Sequence, residues 1–165
     1  MYKKAEKIYE AIGADHRAAS ILPELDYTML LGVSVYCFNR CQTFIIELLR
    51  SQGIGLEWAI LTDYTAGKLC PYIEQHIDDK EYVSPKLLGD YKVLCDQRNR
   101  IIHGFPVTDE ETGEQRLSTK GKGKSGSQFP INTQYMEEFI RRVTDFEYRL
   151  DEVRTFMREF GDYKL

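Results

Sequence analysis

Apolar residues recur at helical spacing over most of this chain. The longest such segment runs from about Glu24 to Gln52, with Leu25, Met29, Val33, Tyr36, Cys37, Phe44, Ile45, Leu48 and Leu49 as its apolar set. Around residues 29–38 more than one side is apolar, which places this helix centrally in a bundle or at a subunit contact. A first helix is expected over residues 2–19, from Ile8, Ala11 and Ile12 set among charges, with Gly13 weakening its middle and Pro23 breaking the chain after it. Leu56 to Leu61 is a short apolar piece holding the single Trp, Trp58. Thr62 or Asp63 then caps a helix running to about Ile77, with Leu69, Tyr72, Ile73 and Ile77 inward; Pro71 makes it kinked or late-starting.

The best-signalled helix spans 85–103. Ser84 is an N-cap residue, Pro85 suits the first helical position, and Gly104 followed by Pro106 marks the stop. Leu87, Leu88, Tyr91, Leu94, Cys95, Ile101 and Ile102 form one stripe. After Gly104 the period changes. Phe105–Thr108 and Gln115–Thr119, separated by Asp109-Glu110-Glu111-Thr112-Gly113, read as a β-hairpin with an acidic tip. A flexible basic stretch follows, Lys120-Gly121-Lys122-Gly123-Lys124-Ser125-Gly126-Ser127. Asn132 or Thr133 caps a last helix whose apolar face is Phe139, Ile140, Val143, Phe146, Leu150, Val153 and Met157, ended by Gly161. The expected architecture is mainly α, a helical bundle with a small β-hairpin inserted before the C-terminal helix. It forms one domain over 1–165, with the hairpin and basic loop at about 104–131.

Composition narrows this picture slightly. Of 165 residues, 42% are apolar and 29% charged, enough for one domain with its own core. No apolar run approaches the ~20 residues of a transmembrane helix, and the charged N-terminus has no apolar signal core behind it, so a cytoplasmic protein without membrane contact is expected. The net charge of −4 argues against a general nucleic-acid-coating role but leaves room for a local basic groove. The four cysteines, Cys37, Cys41, Cys70 and Cys95, lack the second closely spaced pair of a metal site and read as reduced, mostly buried thiols. No metal and no cofactor is expected.

The polar residues of helix 85–103 carry the candidate chemistry. At roughly 100° per residue, Arg98 falls near the middle of the apolar stripe, in the slot between Leu94 and Ile101 where a Leu would be ordinary. Asn99 lies roughly 100° and His103 roughly 140° round from it, and these two are neighbours on the helix surface. A charge in a core stripe costs several kcal/mol unless paired. A structural explanation is a buried ion pair with a carboxylate such as Glu47, with His103 merely capping the last carbonyls. The functional explanation is an Arg, an amide and a His gathered at one helix end.

The run Arg98-Asn99-Arg100-Ile101-Ile102-His103 resembles the Arg-x4-6-His signature of the HEPN superfamily (higher eukaryotes and prokaryotes nucleotide-binding), in which a polar residue, often Asn, follows the Arg. The motif covers about six residues; the helical architecture extends the resemblance over most of the chain. It implies a metal-independent endoribonuclease, of the toxin or defence-effector kind, working as a homodimer in which two motif helices form one composite cleft. Arg98, Asn99 and His103 are the implied catalytic residues. Asn39 or Glu47, the interior polar residues of the long helix, could orient Arg98.

The chemistry of these side chains agrees with that implication. Arg forks onto phosphate oxygens, His gives or takes a proton near neutral pH, and Asn can donate to an oxyanion. Arg100, Arg116, Lys120, Lys122 and Lys124 are candidate RNA backbone contacts, there being four positive and no negative residues between 116 and 127. Gly123-Lys124-Ser125 is not a P-loop tail, because Ser118 stands where the motif needs Gly and Phe129-Pro130 follows where it needs a helix. An RNA substrate, a second copy, and an antitoxin or other protein are the expected partners. The alternatives are a non-catalytic HEPN-like module that binds nucleotide, RNA or protein, and a purely structural helical scaffold.

Overall fold

A computed structural model describes residues 22–51, 57–76, 82–121 and 128–160, together with Lys7, Glu10 and Ala11. The described elements are α1 (Leu25–Ser51), α2 (Trp58–Asp63), α3 (Ala66–His76), α4 (Pro85–Ile102), β1 (Phe105–Thr108), β2 (Gln115–Ser118), β3 (Pro130–Ile131) and α5 (Thr133–Glu159). The protein is mainly α with a small antiparallel sheet, as the periodicity predicts. The expected first helix lies largely outside the described residues, as do Gly53, Gly55, Ile77 and Gly161.

Three long helices make the core, and aromatic rings join them. Phe38 of α1 is fully buried and stacks on Tyr91 of α4 (6.0 Å between centroids) and on Phe139 of α5 (6.3 Å). Tyr91 also stacks on Phe146 of α5 at 6.0 Å. Around these rings pack Cys41, Ile45, Leu48 and Leu49 from α1, Leu88, Leu94 and Ile101 from α4, and Val143 and Leu150 from α5.

The inward face of α1 differs from the expected one in its first half. Ile45, Leu48 and Leu49 are buried, but Met29 (42% exposed), Val33 (42%) and Tyr36 (67%) face outward. The buried residues there are Tyr27, Ser34 and Phe38. This end of α1 is apolar on more than one side, and it turns inward the side whose aromatic rings fit α4, α5 and the sheet. By length and composition α1 is apolar enough to cross a membrane, which corrects the expectation that no segment meets that test. In this fold it is the helix on which α4 and α5 pack.

The short helices depart from the predicted caps. Helix α2 continues through Thr62, whose hydroxyl donates back to the Trp58 carbonyl (2.9 Å), so neither Thr62 nor Asp63 caps α3. Thr65 holds that place, its carbonyl accepting from the Lys68 and Leu69 amides. Pro71 lies inside α3. Ser84 and Asn132 cap as predicted, accepting from Leu87 N (3.2 Å) and Tyr135 N (2.8 Å).

The hairpin forms as read, with Phe105 opposite Ser118 and Thr108 opposite Gln115. Its acidic tip is shaped by Asp109, whose carboxylate accepts from the amides of Glu111 and Thr112, and by Gly113 at φ +74°. The sheet gains a third strand, β3, that the sequence reading did not include, with Leu117 opposite Ile131. Two residues of β3, one of them Pro, are too short a run to show a period. Tyr27 ties the sheet to α1: its hydroxyl donates to Ile131 O (2.7 Å) and accepts from Leu117 N (2.9 Å).

Gly104 ends α4 for a steric reason and not by a left-handed cap, since Gly113 is the one described glycine with positive φ. A Cβ on Gly104 would lie 3.1 Å from Leu117 Cβ and 3.2 Å from Ile131 Cδ1. A side chain here would press on Leu117 and Ile131, which would have to give by a few tenths of an ångström where the helix delivers the chain into the sheet. Gly89, on the exposed side of α4, has nothing within 4 Å of its Cβ position. We expect Gly89→Ala to stabilise the fold by about 0.5–1 kcal/mol through helix propensity. Gly104→Ala should destabilise it by about 1 kcal/mol because the sheet must shift. Paired urea titrations read both signs.

Candidate functional site

Helix α4 sets the site by its phase. Leu87, Leu88, Tyr91, Leu94, Cys95 and Ile101 are buried, and Arg98 occupies the gap in that row. Its guanidinium lies over the Phe38 ring, 4.9 Å from the centroid, and Nη1 donates to Asn99 Oδ1 at 3.0 Å. Among the described residues no carboxylate stands within ion-pair distance of Arg98. The group is only partly buried, so it keeps some solvation while its flat face rests on the ring.

This differs from the ion pair considered for it. Glu47 is exposed on α1. Asn39 is exposed too, and its carbonyl accepts the Thr43 hydroxyl (3.1 Å). Neither hydrogen-bonds Arg98; Phe38 and Asn99 orient it instead. The ion pair that does join α1 to α5 is Arg40–Glu147, in which Arg40 Nε donates to Oε1 at 2.9 Å and Nη2 to Oε2. Glu147 is buried, its side chain only 10% exposed, while Arg40 is 58% exposed. Sequence reading missed this pair, and missed Phe38.

Asn99 spends its carbonyl oxygen on Arg98, and its amide NH2 makes no hydrogen bond among the described residues. His103 is the C-cap of α4, its backbone N–H bonded to Asn99 O at 3.0 Å, and its side chain is exposed with no hydrogen bond among the described residues. Arg100, on the same side of the helix as His103, lies over the Phe129 ring at 5.4 Å. Phe129 in turn meets Tyr135 of α5 with centroids 5.5 Å apart. Arg98, Asn99, Arg100 and His103 thus share one helix end, with an aromatic pair against Arg100 that sequence reading did not single out.

The other predicted contacts divide. Arg116 is paired with Glu114 and lies over the Tyr27 ring at 5.9 Å, so its charge is engaged within the hairpin and against α1. Lys120 is exposed. Lys122 and Lys124 lie outside the described residues. Thr119, just before the basic stretch, is held to Phe129 just after it: Thr119 N donates to Phe129 O (3.0 Å) and Phe129 N to Thr119 Oγ1 (3.1 Å). The two ends of that loop are therefore fastened beside Arg100.

Two clefts lie elsewhere, one of about 310 Å³ between α4 and α5 at Asp90, Val93, Arg142 and Arg149, the other of about 220 Å³ at Arg40, Glu147 and Tyr148. Neither of these two is lined by Arg98, Asn99 or His103. Among the described residues no group of three or more His, Cys, Asp or Glu is placed to hold a metal ion. The cysteines are free thiols. Burial pushes the Cys41 thiol well up, and a hydrogen bond to Cys70 together with burial does the same for Cys95, so neither is poised as a nucleophile. Comparison with family models, with curated proteins and with solved structures finds no match for this chain.

Two stability outcomes follow. Arg98→Met, which loses a ring contact but strands no carboxylate, should change stability by no more than about 1 kcal/mol. Arg40→Met, which leaves the enclosed Glu147 carboxylate unpaired, should cost about 1–3 kcal/mol, recovered largely in the Arg40→Met/Glu147→Met double variant. Thermal or urea unfolding of the three proteins orders them.

Proposed function

We propose that this chain is a HEPN-type, metal-independent endoribonuclease whose site is the C-terminal end of α4. The observation that carries the reading is Arg98: a guanidinium set in a core stripe on the Phe38 ring, with no carboxylate partner among the described residues and bonded to the neutral amide of Asn99. An unpaired fork of this kind suits a phosphate.

The reaction would run as follows. The ribose 2′-OH attacks the adjacent phosphorus; the new O–P bond forms as the bond to the 5′-oxygen breaks, leaving a 2′,3′-cyclic phosphate and a 5′-OH. One group takes the 2′-OH proton and another protonates the leaving 5′-oxygen. His103 serves one of these roles. Arg98 and the Asn99 amide stabilise the charge that builds on the non-bridging oxygens. Among the described residues a single histidine stands at this helix end, so a second copy, supplying its own Arg98 and His103 across a two-fold axis, would complete the proton relay. Lys120 and the basic stretch it begins would hold RNA backbone. A cytoplasmic toxin or defence effector, restrained by a protein partner, is the corresponding biological role.

A second reading has its own observation. The His103 ring is exposed and no described group fixes its orientation, which fits a non-catalytic module that binds RNA or nucleotide. Incubation of wild type and His103→Ala with total RNA and tRNA in EDTA separates the two. We expect the wild type to cut and leave cyclic phosphate ends, with His103→Ala slower by about 10²–10⁴-fold. No cutting by either folded protein would favour the binding module.

A further inference from the structure

We propose that Arg100, Phe129 and Tyr135 form a base-stacking wall, holding an unpaired RNA base beside the phosphate bound at Arg98–His103. This rests on the ribonuclease or RNA-binding reading of that helix end and adds a specificity element to it. Arg100 was expected to contact phosphate by charge alone. Its geometry is different: the guanidinium is placed over the Phe129 ring at 5.4 Å, and Tyr135 flanks that ring at 5.5 Å with the planes 53° apart.

The wall is rigidly backed. Thr119, itself fully buried, bonds the Phe129 backbone in both directions, and the Ser118 hydroxyl adds a donation to Phe129 O at 3.4 Å. The Asn132 cap fixes the Tyr135 amide. Arg100, Phe129 and Tyr135 are all part-exposed, so the stack has an open side. A guanidinium resting on a ring presents its second face to solvent, and a nucleobase stacks on such a face as it does on an aromatic ring. Arg100 and His103 are three residues apart on one helix, with their Cβ atoms about 5–6 Å apart. The base held here would therefore belong to a nucleotide next to the scissile phosphate. Stacking needs a base free of its own helix, so the wall selects single strands over duplexes.

The probe is a short, dye-labelled single strand of 2′-O-methyl RNA, which lacks the attacking hydroxyl, and the same strand annealed to its complement. Fluorescence anisotropy is read over a salt series for wild type, Arg100→Lys, Phe129→Leu and Tyr135→Phe. Arg100→Lys keeps the charge and loses the plane; Phe129→Leu keeps apolar bulk and loses the ring. Each should weaken single-strand binding about ten-fold. The salt slope should stay unchanged, because no phosphate contact is lost. Tyr135→Phe keeps the ring, so a loss there as large as that of Phe129→Leu would assign the effect to the hydroxyl and overturn the wall. Arg100→Lys or Phe129→Leu binding as wild type, or no binding by wild type, overturns the wall. Cleavage of the unmodified strand is scored separately. Cleavage with unaffected binding in the variants would leave the nuclease and remove the wall. Ten-fold losses without cleavage would keep the wall and remove the nuclease.

Discussion

The Phe38 ring is the contact on which the rest of this structure depends. It joins α1 to α4 through Tyr91 and to α5 through Phe139, and it is also the surface on which Arg98 lies. Packing and site therefore share one side chain. A stacked aromatic set fixes rotation of the three helices about their own axes more tightly than aliphatic contacts do, because offset rings tolerate little sliding. The phase of α4 is set by Tyr91 against Phe38, and that phase decides that Arg98 points inward, with Asn99 and His103 roughly 100° and 140° round from it.

The end of α4 is held just as firmly. The chain leaves the helix through Gly104 and pairs at once in β1, with Leu117 and Ile131 pressed against the place where a side chain would be. Tyr27 bonds β2 and β3 to α1. The last turn of α4 is thus tied on both sides, to α1 through the sheet and to α5 through the β3–Asn132 junction. A catalytic or binding group gains from such backing, because its position is then set by elements that do not move with solvent. His103 stands outside that support, its side chain exposed and without a hydrogen bond among the described residues.

Much of this was legible in the sequence where signals were local and redundant. Helix α4 combined a cap, a Pro, a stripe and a stop, and the hairpin combined a period change with a turn cluster. The motif residues followed from phase alone, since Arg98 can be placed in the stripe by counting. The failures came where several answers satisfied the same pattern. In α1 the residues Met29, Val33 and Tyr36 are as apolar as those that are buried, and the inward row Tyr27, Ser34, Phe38, Cys41, Ile45, Leu48 was hidden in its first part by one Ser and one Cys, although from Ser34 onward its spacing alternates four and three. Glu147 gave no sequence signal of its role because its partner, Arg40, is 107 positions away. Phe129 gave none because its fastening to Thr119 crosses the basic stretch. Long-range partners leave no local period to read.

The position of Arg98 is the place where local rules and the final fold disagree. Leu at that slot would extend the stripe from Leu94 to Ile101 and bury more apolar surface, so the arginine is not there for the core. Nor is it an ordinary buried ion pair, because its nearest described hydrogen-bond partner is the neutral amide of Asn99. A chain that places a permanent charge on an aromatic ring, and orients it with a neutral group, keeps its full positive potential at that point. A carboxylate partner would have cancelled it. Such a departure from local consistency is what the proposed anion-binding role of this helix end would call for. The same logic distinguishes Arg40 and Arg116, both matched to carboxylates and both committed to holding elements together, from Arg98 and Arg100, both matched to rings.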